Sequence, residues 1–489
     1  MLEDIKKTRL KKLENLKKAG INPYPAEVLR THTNKEALDN FNKLKNKKIG
    51  LVGRIRSIRE HGGSTFAHIE DGSTALAAGG QIQIYLKKDE IGNKNYQLFL
   101  DNIDIGDFIE VSGKLFLTKK GEKTLLVSKW KILTKSLLSL PSEWYGLKDV
   151  EERFRRRYLD ILFNPEIKKM FENKAKFWNS VREFLIKKGF IEVETPALEV
   201  TTGGADARPF ITHHNALDIN VYLRISMGEL WQKKLMVAGF EKTFEIGRQF
   251  RNEGMDDEHL QDYTQMEFYW GYADYEKGMK LVEELYKRVA EETFGTLKFK
   301  IKGFDIDLGK KWERYDYQEV IKKYTGIDIL NADLKIIEKK LKELKIQYDK
   351  DGFNLTRAID NLWKYCRKQI AGPGFLINLP VAVSPLAKRL EENPELVQRF
   401  QVVVAGTELG NGYSELNDPV DQSKRFKEQQ KLRDAGDEEA QMYDKDFIEA
   451  LEYGMPPTCG FGMSERVFSV LMDKPAKECQ IFPLMRPKE

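Results

Sequence analysis

Cysteine is scarce in this chain. There are three in 489 residues, Cys366, Cys459 and Cys479, and no two stand at a zinc-clamping spacing. Neither a disulfide framework nor a metal finger is supported. Long apolar runs are missing too: no stretch approaches the roughly 18 apolar residues of a membrane span. The first twenty residues, MLEDIKKTRLKKLENLKKAG, lack the apolar centre of a secretory signal. The expectation is a cytoplasmic protein with no membrane association. A strong charge of one sign is also absent. The net charge of +5 permits an anionic partner without demanding one. There is no internal repeat and no low-complexity segment. What remains is a folded composition, 41% hydrophobic and 32% charged, in a chain too long for one compact core.

Residues 3 to 19 read as a basic helix with Leu10, Leu13 and Leu16 as a narrow apolar stripe, stopped by Gly20-Ile21-Asn22-Pro23. Such a helix either packs as a solvated face or touches phosphates. From about Gly50 to Leu133 the pattern is β. GLVGRIRSIRE, STFAHIED, GQIQIYLKK, DFIEVSGKLFLT and KTLLVSKWKIL are five short strands, which suit a small oligonucleotide-binding barrel. Phe66 and Gln83 are candidates for contacting unstacked bases there, although pattern alone favours Phe66 as core. A linker, Leu140-Pro141-Ser142-Glu143, leads into an α/β pattern. It opens with the long helix EIKKMFENKAKFWNSVREFLIKKGF, which carries Phe171, Phe177, Val181, Phe184 and Leu185 on one face and stops at Gly189.

The stretch FRNEGMDDEHLQDYTQMEFYW, 250–270, is the most informative. EKTFEIGRQFRNE alternates, and so does QMEFYW. Paired as a hairpin joined by residues 254–263, they would set Arg251, Glu253, Glu267 and Tyr269 on one polar face. Buried carboxylates are costly unless paired, so the stretch is either a structural Arg–Glu network or a site for a phosphate and a cation. In GTELGNGYSELNDP, 406–419, alternation puts Glu408 opposite Asn411 and Glu415, and a glycine bulge would be needed to unite them. Near the C-terminus, CGFGMSERVFSVL, 459–471, is a Gly-rich strand that enters a helix at Glu465 and Arg466. That pattern serves phosphate binding or close packing equally.

Taken together, these residues resemble the class II aminoacyl-tRNA synthetases, and within them the lysyl-tRNA synthetases. GFIEVETPAL (189–198), FRNEG (250–254) and GFGMSERV (460–467) are similar to the three class II motifs, in order. GGADARPFITHHNALDINVYLRIS, GTELGNGYSELNDP and IFPLMRP are similar to signatures of the lysine enzymes, and the likeness covers nearly the whole chain. It implies a multidomain α+β protein with a basic helical extension (1–48), an OB-fold anticodon-binding barrel (49–135) and a linker (136–150). An antiparallel-sheet catalytic domain (151–489) follows, with a helical insertion around 325–370.

The implied reaction is formation of lysyl-adenylate from lysine and ATP, then transfer to the 3′-terminal ribose of tRNA(Lys), by a homodimer using Mg²⁺. For the nucleotide, the resemblance implies that Arg251 holds the α-phosphate and Arg466 the γ-phosphate, that Tyr263 stacks on adenine, and that Glu253, His259 and Glu408 complete the site. Gly204, Glu229, Glu267, Tyr269, Asn411, Tyr413 and Glu415 would surround lysine. Carboxylates and an aromatic hydroxyl suit a compact ammonium with three donors. Phe66 and Gln83 would read the anticodon, and Pro196 would lie in the dimer interface.

Four places depart from the family pattern. Gln401 stands where a second metal-binding carboxylate is usual, and Glu258-His259-Leu260 where bacterial relatives often have Arg-His-Asn. Met463 falls where a second glycine is common. Lys129 replaces an anticodon-reading glutamate. Two alternatives stay open: an aspartyl or asparaginyl enzyme, whose pocket would need a cation, and a catalytically silent RNA-binding paralogue.

Overall fold

The structure is a computed structural model that describes residues 2–72, 81–141, 149–254, 256–348, 353–437 and 439–488. Ser142 and Glu143 of the expected linker lie outside the described residues. The chain divides into two compact units, Met1–Met170 with Leu484–Glu489, and Phe171–Pro483.

In the first unit, β1 (Lys48–His61), β2 (Ser64–Glu70), β3 (Gln81–Lys87), β4 (Phe108–Leu117) and β5 (Lys123–Thr134) close a barrel in the order β1-β2-β3-β5-β4. These are the five strands expected from the pattern. Every second residue points inward, so Leu51, Ile55, Ala67, Ile69, Ile84, Val111, Leu125 and Val127 fill the interior. Closure depends on Gly113, where a Cβ would stand 1.8 Å from the Leu126 carbonyl oxygen.

The N-terminal helix, Leu2–Lys18, corrects one expectation. Leu16 is buried, but Leu10 is exposed, and Arg9 is the second anchor. Arg9 donates to the carbonyls of Ser136 (3.1 Å), Leu138 (3.0 Å) and Ile105 (2.9 Å), and Lys12 pairs with Asp104 at 2.7 Å. The face that docks therefore runs through positions 9, 12, 13 and 16. A sequence pattern that counts only apolar residues misses it, because two of the anchors are cations. Lys6, Lys7, Lys11, Lys17 and Lys18 remain exposed.

The second unit contains β6 (Ile191–Glu192), β7 (Leu198–Glu199), β8 (Ile211–His214), β9 (Ile219–Leu223), β10 (Lys242–Phe250), β11 (Asp262–Gly271), β12 (Lys298–Ile301), β13 (Phe304–Asp307), β14 (Glu313–Asp316), β15 (Gly374–Pro380), β16 (Leu396–Val404), β17 (Thr407–Ser414) and β18 (Thr458–Ser464). Eight of them form one sheet in the order β14-β15-β16-β17-β18-β11-β10-β6. It is antiparallel except where β6 meets β10 and β14 meets β15.

The two faces of this sheet differ because the strands alternate. Phe244, Met266, Phe268, Phe400 and Phe461 are buried on one side. The helix Tyr275–Phe294 covers that side with Met279, Val282, Leu285, Tyr286 and Val289, which recur at helical spacing. It starts at the N-cap Asp274 and ends at Gly295, whose φ is +71°. Gly278 permits the close approach: a Cβ there would stand 2.4 Å from Cys459 Sγ. The other face carries the polar residues. Beyond β14, helices Tyr317–Thr325, Leu334–Glu343 and Leu355–Arg367 pack through Ile321, Ile337, Leu341, Ala358 and Leu362.

Candidate active site

Strand register assembles the polar face. Glu245 lies opposite Glu267 across β10 and β11, and Thr243 opposite Tyr269. On the far side of β11, Glu267 faces Gly462 and Tyr269 faces Gly460 of β18, and these glycines in turn face Asn411 and Tyr413 of β17. The two β18 residues beside Glu267 and Tyr269 are thus glycines, and they make a floor. A Cβ at Gly460 would stand 2.1 Å from Glu415 Oε1, and one at Gly462 3.0 Å from Glu267 Cγ. Met463 points to the opposite side, into an apolar layer with Phe177, Leu285 and Tyr286.

A bulge is present, but its extra residue is a leucine beside Gly410 and not a glycine as expected. Val402 pairs with Gly410 but Val403 pairs with Glu408, so Leu409 is the extra residue. Glu408 thereby joins the face of Gln401 and Asn411, and Gln401 Nε2 donates to Glu408 Oε2 at 3.2 Å. Trp363 Nε1 donates to the other Glu408 oxygen. Gln401 Oε1 is buried with no hydrogen-bond partner. Asn411 Oδ1 accepts from Arg399 Nε at 2.8 Å.

The acids form a buried cluster. Glu267 accepts from the Met227 N–H (2.9 Å), Gln265 Nε2 (2.6 Å) and the Tyr269 hydroxyl (3.0 Å), all neutral donors. Burial, with Glu229 nearby, pushes its carboxyl up to about 7. Glu229 opens the helix Glu229–Val237 and accepts from the Tyr413 hydroxyl. Gly204, at φ +85°, passes close by: a Cβ there would stand 2.7 Å from Glu229 Cβ.

Lys233, one turn further along the same helix, occupies a place that sequence reasoning had left to a ligand. Its ammonium is 2.6 Å from Glu229 and 2.5 Å from Glu415, and it sits over the Tyr413 ring at 5.5 Å. Burial alone would push the Lys233 ammonium toward deprotonation, but the two carboxylates more than offset this and hold it charged. The i,i+4 spacing of Glu229 and Lys233 was the available signal.

The hairpin differs from expectation at its tip. The strands end at Phe250 and resume at Asp262, so the loop is 251–261 rather than 254–263. Glu253 is an exposed loop residue and does not join the polar face. The cause is a local turn: Asp256 Oδ1 accepts from the N–H groups of Glu258 and His259, both at 2.7 Å, and competes with strand pairing. Arg251 stays at the root of the loop, with its backbone N–H on Gln261 and its guanidinium 5.9 Å from the Tyr263 ring centre. Arg466 reaches His259 Nε2 at 3.3 Å and the Glu408 carbonyl at 2.5 Å. Arg224, just past the end of β9, pairs with Glu245 of β10 at 2.5 Å, so this arginine is spent on Glu245 and Glu267 is left with neutral donors.

This arrangement matches a family model for class II tRNA synthetases (D, K and N) over residues 149–486, and a model for the OB-fold nucleic acid binding domain over 49–133. The chain is also similar along its entire length to curated Lysine–tRNA ligases. It is 46% identical to that of Carboxydothermus hydrogenoformans, covering 99% of the relative. It is 45% identical to that of Pelotomaculum thermopropionicum (96% covered) and 42% to that of Thermotoga maritima (97% covered). The chain belongs to the lysine–tRNA ligase family of class II tRNA synthetases.

For a member of this family, the barrel is the second place of interest. Phe66 is not in the barrel core. It lies half-buried on the outer surface, stacked on Tyr85 with ring centres 4.4 Å apart. Gln83 faces the same side and is held at both ends: its Nε2 donates to Glu122 at 2.7 Å, and its Oε1 accepts from Thr124 at 2.8 Å. His68 bridges Ser57 and Glu122, at 2.9 Å each. Lys129 pairs across with Ser112. Pro196 is exposed near Ile191, Leu198 and Val200, three large apolar residues that are also exposed. Among the described residues, no helix is long and apolar enough to cross a membrane.

Proposed function

We propose that this chain is a lysine–tRNA ligase: it joins lysine to ATP as lysyl-adenylate with loss of pyrophosphate, then passes lysine to the terminal ribose of tRNA(Lys). The observation that carries the reading is the buried acid cluster on the glycine floor, flanked by Arg251 and Arg466. Glu267, with neutral donors only, is the carboxylate available to a substrate ammonium. Glu229, Tyr269, Tyr413, Asn411, Glu415 and Gly204 form the walls. Arg251 takes the α-phosphate, Tyr263 the adenine, and Arg466 with His259 the γ-phosphate. The lysine carboxylate attacks the α-phosphorus and pyrophosphate departs. The ribose hydroxyl then attacks the adenylate carbonyl and AMP departs. Positioning and charge stabilisation suffice for the first step, so no residue is assigned as its general base.

Magnesium fits here in a limited way. Among the described residues, no three His, Cys, Asp or Glu side chains gather as a cage. Glu408 and the unpartnered Gln401 Oε1 would hold the ion together with nucleotide phosphates, as magnesium commonly binds. When bound, it neutralises charge on the phosphates.

We take the barrel at 49–135 as the anticodon reader, with Phe66 and Gln83 in contact with bases, residues 151–489 as the catalytic domain, and the Pro196 surface as the homodimer contact in the cytoplasm. Two measurements test the whole. ATP–pyrophosphate exchange is expected with lysine; exchange with aspartate or asparagine but not lysine would sink the reading. No exchange with any amino acid, alongside retained tRNA binding, would favour a silent paralogue. Binding of tRNA is expected to weaken at least about tenfold from 50 to 200 mM salt, as the exposed lysines of the N-terminal helix release counterions. A flat response would remove that helix from the tRNA contact.

A further inference from the structure

One carboxylate of the acidic loop stands among three cations. Glu258 Oε1 lies 2.6 Å from Lys302 Nζ, and its Oε2 lies 3.8 Å from Arg466 and 4.0 Å from Arg367. The cations come from elements far apart in sequence: the β12–β13 turn, the end of the helix Leu355–Arg367, and the start of the helix Arg466–Leu471. Each is held in place independently of Glu258. Lys302 also donates to Thr407 Oγ1 at 2.8 Å, and Arg466 to the neighbouring Glu408 carbonyl. The end of the helix bearing Arg367 rests on the β16–β17 turn, where Ala405 and Gly406 adopt φ of +49° and +70°, and the Gly406 N–H bonds the Ile370 carbonyl at 2.8 Å. A Cβ at Gly406 would stand 3.0 Å from Lys368 Cα, so the glycine permits that approach.

The charges around Glu258 do not balance. Three cations meet one carboxylate, which leaves an excess of two positive charges. The Nε atoms of both arginines are buried with no hydrogen-bond partner. Buried donors without acceptors are costly. An anion with several oxygens and more than one negative charge would satisfy them together.

We propose that Lys302 and Arg367 are further contacts for the terminal phosphates of the nucleoside triphosphate, and for released pyrophosphate. Glu258 is then a resident carboxylate that occupies this anion seat until a phosphate displaces it. This rests on the nucleotide role given above to Arg466. It also accounts for the sequence departure at position 258. Relatives often place an arginine there; here the loop supplies an acid, and the positive charge comes from Lys302 and Arg367.

The test is equilibrium binding of a non-hydrolysable ATP analogue, of AMP and of inorganic pyrophosphate to the full chain. Arg367→Met and Lys302→Met are each expected to weaken the triphosphate and pyrophosphate about tenfold, as loss of a charge-assisted contact does, and to leave AMP within about twofold. Glu258→Gln is expected to tighten the triphosphate about threefold or more, because a bound competitor is removed. Lys302 is partly exposed, so its variant keeps the test decisive if Arg367→Met fails to fold. Triphosphate affinity unchanged in Lys302→Met, or AMP weakened as much as triphosphate, overturns the phosphate contacts. Weaker triphosphate binding in Glu258→Gln overturns the resident-anion role. Arg466→Met separates the two levels. If it leaves triphosphate binding intact, the underlying nucleotide reading fails; if it weakens binding while Lys302→Met does not, only the new contacts fail.

Discussion

Glu267→Gln is expected to raise the lysine concentration needed for half-maximal ATP–pyrophosphate exchange by about 100-fold and to leave that for ATP within about twofold. Glutamine keeps the shape of the side chain and an oxygen for the Met227 N–H, so packing is preserved. What it loses is the charge. Removing one partner of a buried charge pair costs about 2–5 kcal/mol, and 100-fold is about 2.7 kcal/mol. Equal losses for lysine and ATP would instead make Glu267 a structural partner of the sheet. The pH profile adds an independent check. Burial and Glu229 push the Glu267 carboxyl up to about 7, and only its ionised form attracts an ammonium. Lysine affinity is therefore expected to fall as pH drops through 7, by about tenfold per unit below it, with the slope gone in Glu267→Gln. An unchanged slope in the variant would mean that another group carries the titration.

The barrel and the β10–β11 hairpin were legible because strand alternation is strict where one face is buried. Phe244, Met266 and Phe268 on one side force Glu267 and Tyr269 to the other, whatever the function. A bulge was legible as a requirement, since alternation alone left Glu408 on the wrong side of Asn411, but its place at Leu409 instead of a glycine was not. The hairpin tip was not legible either, because the Asp256 turn is a side-chain event within an aperiodic acidic loop. Nor was the place of Arg9, where a cation satisfies three carbonyls at a position expected to be polar and solvated. The grouping of Lys302, Arg367 and Glu258 could not be read at all: these residues are brought together by elements distant in sequence, and no spacing rule connects them.

Lys233→Met is expected to lower the melting temperature by about 10 °C and to abolish most lysine activation. Three buried carboxylates, Glu229, Glu267 and Glu415, share the site; Lys233 pairs with Glu229 and Glu415, and substrate lysine brings two further ammonium groups. Without Lys233, Glu229 and Glu415 lose the cation that lies 2.6 and 2.5 Å from them. Two adjacent buried carboxylates cannot both stay ionised, so one takes up a proton. Breaking a buried pair in this way costs about 3–5 kcal/mol, and each kcal/mol shifts melting by roughly 2–4 °C in a domain of about 150–250 residues, toward the low end in the larger unit Phe171–Pro483. Methionine is near in length to lysine, so packing against Phe447 and Tyr413 contributes little to the loss. A small alkylammonium such as propylammonium tests the charge directly. In Lys233→Ala, where the missing side chain leaves room for it, it is expected to raise the melting temperature, and to have no such effect on the parent chain or on Lys233→Met, whose side chain fills the space. If Lys233→Met melts within about 1 °C of the parent and still activates lysine, then Glu229 and Glu415 are balanced by some other group, and both carboxylates return to the set that meets the substrate ammonium.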